Sequence, residues 1–301
     1  MSDADQPGGP VTTGNWGRWG AADELGTLNL IDDAKRAQAA SLVRTGRTVS
    51  LSREISAAPR PDVPEPFQQR LFLEFDRPTG WATEEWRILP HGHGYTHIDG
   101  LSHVFGRSQG MWLGRDPRQE LSDGGARWGA IDKWAGGIVT RCLLLDIPRL
   151  RGKSFVDLSS PVTAAELEAA EKAQGVAVGR GDALAVYCGR EAWEEANGGG
   201  YPTAVGKPGL DGNCTRFVQD RDISVLLWDM GEASGAFNTP DHRLTVHNAI
   251  WSLGLAIVDN CSLAELAADC SRLARWEFMV VVAPLRIAGG TGSPANPLAI
   301  F

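Results

Sequence analysis

Short apolar runs, most of them bounded by glycine or charged residues, recur along the chain and predict buried β-strands. The clearest run, residues 137–146 (GIVTRCLLLD), is rich in apolar and β-branched side chains. Similar runs predict further strands at 71–75, around 86–99, at 182–188, at 222–229 and, as one or two strands, at 276–287.

Helical patterns lie between these strands, and the best defined covers residues 163–174. Thr163 is its predicted N-cap, and Glu166 three residues later completes a capping box. Further helices are predicted near 214–219, at 242–253 and at 262–274. This mixture of buried strands and helices predicts an α/β or α+β fold with a central sheet or barrel flanked by helices.

The chain is interpreted as one domain over residues 15–301, preceded by a polar stretch, 1–14, that is expected to be disordered. Two loop-like stretches, 57–67 with four prolines and the glycine-rich 197–212, are either linkers or lids over a site. No apolar run approaches the roughly 20 residues that span a bilayer, and residues 1–14 lack the features of a signal peptide. We therefore expect a cytoplasmic protein without membrane contact.

The amino-acid composition mainly argues against certain partners and kinds of site. Of the 301 residues, 43% are apolar and 22% are charged, which is typical of a globular protein with a sizeable core. The formal net charge of −8 argues against nucleic acid as a partner. Five cysteines, without CxxC spacing, argue against a disulfide framework or a four-cysteine zinc site.

The distribution of histidine indicates a functional site, because four of only six histidines fall between residues 91 and 103. On an extended strand His93, His97 and Asp99 are separated by even numbers of residues, so their side chains leave the same face. On a helix Asp99 would point away from the two histidines, and the flanking glycines also disfavour a helix. Two imidazoles and a carboxylate suit Zn²⁺ or Mn²⁺, with His103 placed to turn back over the metal. The alternative is a set of exposed or core histidines on a glycine-rich loop.

The segment 93–103 (HGYTHIDGLSH) resembles the HxGTHxDxPxH signature of the Putative cyclase family, which includes bacterial kynurenine formamidase and isatin hydrolase. The four polar positions of the signature are matched by His93, His97, Asp99 and His103. Tyr95 and Leu101 stand where the signature has glycine and proline. A second match lies downstream, where His247 and Asp259 have the family's twelve-residue spacing, with Asp259 in place of the usual glutamate.

The resemblance implies a swivelling β/β/α fold and a metal-dependent hydrolase that cleaves a small-molecule amide, either an aryl-formamide or a cyclic amide. It also implies a homodimer or homotetramer. The implied metal ligands are His93, His97, Asp99, His247 and Asp259. His103 is then the candidate general acid and base. Because aspartate is one methylene shorter than glutamate, Asp259 favours one bound ion over two.

Aromatic residues near the histidines in sequence, with one further downstream, are candidates for contacts to a flat substrate, with core packing as the alternative for each. They are Trp81, Trp86, Phe72 and Phe237. Two other classes of protein stay open at this point. One is a metal-dependent lyase, dehydratase or cyclase of secondary metabolism, and the other is a non-catalytic protein that binds a metal or another ligand.

Overall fold

One large mixed β-sheet organises the protein, whose computed structural model describes residues 14–200, 208–233 and 245–301. The strands are β1 (Thr48–Ser50), β2 (Gln68–Glu74), β3 (Trp81–Arg87), β4 (His97–Asp99), β5 (Leu121–Ser122), β6 (Gly125–Ala126), β7 (Ile138–Asp146), β8 (Ala183–Tyr187), β9 (Val225–Trp228), β10 (Ala256–Asp259), β11 (Glu277–Val282), β12 (Gly292–Pro294) and β13 (Leu298–Ile300). The large sheet has nine strands in the order β1-β13-β11-β7-β8-β9-β10-β4-β12. The other strands form two separate hairpins, β2–β3 and β5–β6.

The centre of the large sheet is parallel, because β7, β8, β9 and β10 pair in that orientation. Residues 143–145, 183–186 and 225–228 of these strands are fully buried. Such strands are continuous apolar runs because both of their faces are covered. Antiparallel strands extend the sheet on both sides, with β11, β13 and β1 on one side and β4 and β12 on the other. The hydrophobic core around the sheet includes residues from Ile31 to Phe301.

The helices connect or flank these strands. They are α1 (Asp33–Ala40), α2 (Pro117–Glu120), α3 (Ile147–Arg151), α4 (Ala164–Gln174), α5 (Arg190–Ala196), α6 (Cys214–Asp220), α7 (Ala249–Leu253) and α8 (Ala264–Leu273). The start of α4 confirms the predicted capping box, since the side chains of Thr163 and Glu166 each accept a hydrogen bond from the other's backbone N–H. The helix ends at Gly175, which adopts the left-handed φ of +66° that favours glycine.

The α/β class is confirmed, and the runs at 137–146, 182–188 and 222–229 correspond to β7, β8 and β9. One prediction is wrong: the run around 86–99 is not a single strand. The strand β3 ends at Arg87, β4 begins only at His97, and the residues between them form an irregular loop. Gly92 in this loop has a φ of +139°, which an L-residue rarely adopts. The helix predicted at 242–253 is limited to α7 in the described part of the chain.

Parts of three predictions lie outside the described residues: positions 1–13 of the expected tail, 201–207 of the glycine-rich stretch, and 242–244 of one helix. The boundaries of the single domain stay a prediction. None of the helices in the described ranges is long and apolar enough to span a membrane.

A buried carboxylate at the end of β9 fixes the start of α5. Asp229 is fully buried, and its oxygens accept hydrogen bonds from the backbone N–H groups of Cys188, Gly189 and Arg190 at 2.9, 2.9 and 3.0 Å. The first N–H groups of a helix have no acceptor within the helix itself. Asp229 therefore ties the ends of two parallel strands to the helix that follows β8.

We expect the Asp229→Ala variant to be clearly destabilised. Three buried N–H groups would lose their acceptor, and each such loss costs about 1–3 kcal/mol, so the free energy of unfolding should fall by about 3 kcal/mol or more. The Asp229→Asn variant keeps one acceptor oxygen and should lose less. Denaturant unfolding measures both variants, and an alanine variant within about 1 kcal/mol of the parent protein would contradict the assigned role.

The hairpin β2–β3 exposes large apolar side chains on both of its faces. Its register places Leu71, Leu73 and Trp86 on the same face, with 57%, 56% and 52% of each residue exposed. Gln69 and Glu84 lie on that face as well. The opposite face carries Phe72 and Trp81 beside a charged cross-strand pair, Arg70 and Glu85. An isolated two-stranded hairpin is marginally stable, and the exposed apolar side chains on the face of Leu71 and Leu73 indicate a contact surface.

We propose that this face packs against the same face of a second copy, as in a two-fold homodimer or a tetramer built from it. The double variant Leu71→Glu with Leu73→Glu should be monomeric, because the contact would bury unpaired charges. The Thr83→Glu variant changes the opposite face and should keep the assembly. Light scattering gives the mass of each, and a monomeric parent protein or an oligomeric double variant would contradict the proposal.

Candidate metal centre

The short strand β4 carries two of the candidate metal ligands. His97 and Asp99 lie on one face of it and Ile98 on the other, as the two-residue period of a strand requires. In the register with β10, His97 is opposite Asp259, so the side chain of Asp259 lies beside that of His97. His97 and Asp99 are buried, with 1% and 0% of each residue exposed.

Asp99 is the centre of a cluster of imidazoles. Its Oδ1 lies 3.0 Å from Nδ1 of His91, 3.4 Å from Nε2 of His97 and 3.8 Å from Nε2 of His103, and its Oδ2 lies 3.8 Å from Nε2 of His247. Asp259 completes the cluster, because its Oδ2 lies 3.0 Å from Nε2 of His247 and 3.6 Å from Nε2 of His97. The fold therefore brings together two segments that lie about 150 residues apart in sequence, as the motifs predict.

The donor atoms of this cluster fit a divalent cation. Two overlapping groups each have their ligand atoms within 4.8 Å of one another, and Asp99 belongs to both. The groups are His91, Asp99 and His103, and His97, Asp99 and Asp259. Both carboxylate oxygens of Asp99 are buried without a well-aligned hydrogen-bond donor among the described residues, since the 3.0 Å contact of Oδ1 with Nδ1 of His91 does not have hydrogen-bond geometry. A buried carboxylate without a partner is costly, and a cation with nitrogen and oxygen ligands removes that cost.

Two of the imidazoles are oriented by acceptors on their far side. Nδ1 of His97 lies 2.9 Å from the carbonyl oxygen of Tyr95, and Nδ1 of His247 lies 3.0 Å from Oε1 of Glu232. Each ring therefore holds a proton on Nδ1 and turns Nε2 towards the carboxylates, as is usual for metal-bound histidines. Glu232 is 2% exposed and also accepts the backbone N–H groups of Val246 and His247. Glu232 could not be predicted from the sequence, because a single glutamate in a loop carries no spacing signal.

The carboxylates raise the pKa of the neighbouring imidazoles, whereas burial lowers it. Burial alone would lower the pKa of His97, but the charges of Asp99 and Asp259 outweigh it and raise the pKa to about 9. Burial also opposes ionisation of Asp99, yet the neighbouring histidines, His97 foremost, hold its pKa well below the usual range. At His103 burial dominates and lowers the pKa to about 4, so this ring is neutral at pH 7.

His91 has a role in the cluster that the sequence analysis did not assign. Its ring stacks on that of His103 with 3.8 Å between centroids and 7° between planes. A Cβ at Gly292 of β12 would lie 2.5 Å from Cε1 of His91, so only glycine leaves room for the ring at this position. The glycine of a neighbouring strand is thus part of the site.

His93 has a different position from the other predicted ligands. It belongs to neither of the two ligand groups found among the described residues, and it precedes β4 in the irregular loop. The even spacing places the side chains of His97 and Asp99 on one face of β4. It does not place the side chain of His93 there, because the chain is not extended at that residue. Its backbone oxygen accepts a hydrogen bond from Arg190. A metal-binding role for His93 stays a prediction.

A cavity of about 420 Å³ opens beside the histidine loop. Its walls combine the proline-rich stretch 61–65 with residues 89–95, so His91 and His93 both line it. The proline-rich stretch is therefore part of a pocket wall, which fits the lid interpretation better than the linker one. Three of the predicted substrate contacts, Phe72, Trp81 and Trp86, lie on the exposed hairpin, outside the lining of this cavity. The fourth, Phe237, lies outside the described residues.

The fold and the cluster agree with the family that the motifs suggest. The chain belongs to the Putative cyclase family, whose sequence profile matches residues 48–233, more than half of the chain. A solved structure described as a novel cyclase superimposes with a TM-score of 0.84 at 26% identity, covering 96% of this chain and 98% of that one. None of the curated protein sequences is similar enough to count as a match.

Two more distant structures share the fold. Isatin hydrolase A from Labrenzia aggregata, bound to benzyl benzoate, has a TM-score of 0.58 at 19% identity, covering 84% of this chain and 93% of its own. A protein from Bacillus stearothermophilus described as a predicted metal-dependent hydrolase has a TM-score of 0.53 at 13% identity, covering 85% of this chain and 98% of its own. These similarities establish the architecture of the nine-stranded sheet and its helices.

Proposed function

We propose that the protein is a metal-dependent hydrolase that cleaves the C–N bond of a small-molecule amide, either an aryl-formamide or a cyclic amide. The observation that carries the proposal is the carboxylate of Asp99, which is buried without a hydrogen-bond partner in the described structure and is faced by four imidazoles. Membership of the cyclase family and the hydrolases among the structural neighbours support it.

His97 and Asp99 are the central ligands in this proposal, and the third ligand is the imidazole of either His91 or His93. A divalent cation such as Zn²⁺ or Mn²⁺, when bound, acts as a Lewis acid and lowers the pKa of a bound water towards about 7. We expect one ion, because Asp259 already accepts a hydrogen bond from Nε1 of Trp228 and lies 3.0 Å from Nε2 of His247.

His103 is proposed to move the proton. Its side chain is 29% exposed and its Nε2 lies 3.8 Å from Oδ1 of Asp99, so the ring reaches both the cluster and the solvent-accessible side. A neutral imidazole can take a proton from water and then donate it to the leaving nitrogen. In the reaction the amide C–N bond breaks, a C–O bond to the water oxygen forms, and the proton from water ends on nitrogen.

We place the substrate in the cavity beside the histidine loop, because His91 of the cluster lines it. Its volume of about 420 Å³ is in the range of small-molecule pockets, and Pro61, Val63 and Leu89 give it apolar walls. A flat, mainly apolar molecule with one amide group suits such walls. We therefore prefer an aryl-formamide or a cyclic amide to a long peptide as the substrate.

Two measurements test the proposed function. Elemental analysis of the purified protein should find Zn or Mn bound, with one ion per chain expected. A panel of aryl-formamides and cyclic amides is then screened by mass spectrometry, where hydrolysis adds one water to the substrate. Products of unchanged mass, or products that have lost water, would indicate lyase, dehydratase or cyclase chemistry instead. Bound metal without any turnover of the panel would contradict the amide hydrolase.

A further inference from the structure

The irregular loop that carries His91 and His93 is held by side chains from two distant parts of the chain. Arg190 at the start of α5 donates to the backbone oxygen of His93. Asn260, directly after β10, donates from Nδ2 to the backbone oxygens of Gly92 at 2.8 Å and Tyr95 at 3.0 Å. Three carbonyl groups of this loop are thus fixed by only two side chains.

Arg190 is fully buried and its guanidinium group is surrounded by acceptors. Its Nε donates to Glu194 at 2.9 Å, and Nη2 donates to Asp62 at 3.0 Å. Arg53 and Arg60 also pair with these carboxylates, so the buried cluster contains charges of both signs. Its Nη1 donates to Oδ1 of Asn260 at 2.8 Å. This last contact fixes the orientation of the Asn260 amide, because only the oxygen can accept from a guanidinium. The Nδ2 group of Asn260 must therefore face the loop.

Asn260 also connects the loop to the candidate ligands. It follows Asp259 in sequence, and its backbone has the left-handed φ of +54° that non-glycine residues seldom adopt. The oxygen of Tyr95 that accepts from its Nδ2 is the same oxygen that lies 2.9 Å from Nδ1 of His97. A chain of contacts therefore runs from Arg190 through Asn260 and the Tyr95 carbonyl to the ring of His97.

We propose that Arg190 and Asn260 are positioning residues for the metal centre, and that the amide of Asn260 fixes the orientation of the His97 ring. The assignment rests on the proposed metal centre but not on the identity of the substrate. The Tyr95 carbonyl needs a fixed place to keep the Nδ1 proton of His97 directed at it. Without the Asn260 donor, this carbonyl and the loop behind it are free to shift, and Nε2 of His97 no longer points at a defined site.

Cobalt binding tests this role without relying on turnover. Co²⁺ replaces Zn²⁺ at nitrogen and oxygen sites, and its visible absorption bands report the coordination geometry. The Asn260→Asp variant keeps the shape and the acceptor for Arg190 but turns an oxygen towards two carbonyl oxygens. We expect its Co²⁺ affinity to fall about 10–100-fold, with altered bands, as is usual when a partner of a metal ligand is removed.

Asn15 offers a matched control. It is also buried, its Oδ1 accepts from Arg18 at 3.2 Å, and its Nδ2 donates to the carbonyl of Leu253 at 3.0 Å. The Asn15→Asp variant therefore makes the same exchange in a similar environment away from the candidate ligands. It should lose stability while keeping the Co²⁺ affinity and spectrum of the parent protein.

A second variant covers the case in which Asn260→Asp does not fold. Asn260→Gly suits the left-handed backbone and removes the amide without adding a charge, and it should show the same loss of Co²⁺ affinity. The proposal is overturned if either folded variant at position 260 binds Co²⁺ with the affinity and bands of the parent protein. A parent protein that binds Co²⁺ but hydrolyses no amide would refute the proposed function alone, whereas one that binds no Co²⁺ would refute both.

Discussion

The Asp99→Asn variant is expected to lose the bound metal and, with it, all measurable hydrolysis. The carboxylate of Asp99 belongs to both candidate ligand groups, and it supplies the negative charge at the centre of four imidazoles. An amide keeps the shape but lacks the charge, and a neutral oxygen is a weaker ligand for a divalent cation than a carboxylate. Elemental analysis and the amide panel measure both losses on the same preparation.

The Asp259→Asn variant is the control for this experiment. Asp259 belongs to only one of the two candidate ligand groups, and its Oδ1 already accepts from Trp228, so the variant should keep the metal with an affinity reduced by about 10–100-fold. Full metal content in Asp99→Asn would refute the assignment of the site. Two ions in the parent protein, with one lost on substitution of Asp259, would show that the expectation of a single ion is wrong.

The His103→Ala variant should keep the metal but lose a factor of about 10²–10⁴ in kcat, the usual contribution of general acid–base catalysis. His103 is positioned between the cluster and the more open side of the site, and its neutral ring is stacked on His91 rather than buried behind a carbonyl acceptor. Metal content and kcat are measured together, because loss of kcat alone would indicate proton transfer, whereas loss of metal would indicate a ligand.

Loss of metal from His103→Ala would make His103 a ligand, as its membership of the group with His91 and Asp99 allows. The single variants His91→Ala and His93→Ala complete the comparison. The geometry leads us to expect weaker metal binding in His91→Ala, whose Nδ1 lies 3.0 Å from Asp99, than in His93→Ala. The reverse order would confirm the ligand set that the family signature implies.

The sequence predicts those residues of the site that lie on regular secondary structure. His97 and Asp99 lie on one strand, so the two-residue period of a strand is enough to place their side chains on a shared face. The α/β class follows in the same way from continuous apolar runs such as residues 143–145, which become parallel strands covered on both faces.

The residues that sequence reasoning misses lie where the chain leaves regular structure. His91 approaches Asp99 only because the loop before β4 bends and because Gly292 leaves space for its ring. Glu232, Arg190 and Asn260 act through contacts across long sequence separations, and no local pattern encodes such contacts. Their common property is burial of a polar group, which depends on how distant segments pack together.

The position of β4 in the sheet also determines when the centre can form. Its two neighbours are β10, at residues 256–259, and β12, at residues 292–294. Both strands follow His97 and Asp99 by about 160 residues or more, so they are synthesised much later. Contacts of such sequence separation form slowly, and here they need nearly the whole chain. A growing polypeptide therefore displays its histidine segment long before it has a place for an ion. An ion at the proposed centre would therefore bind after the chain has folded and would be drawn from the ions that the cell offers at that moment.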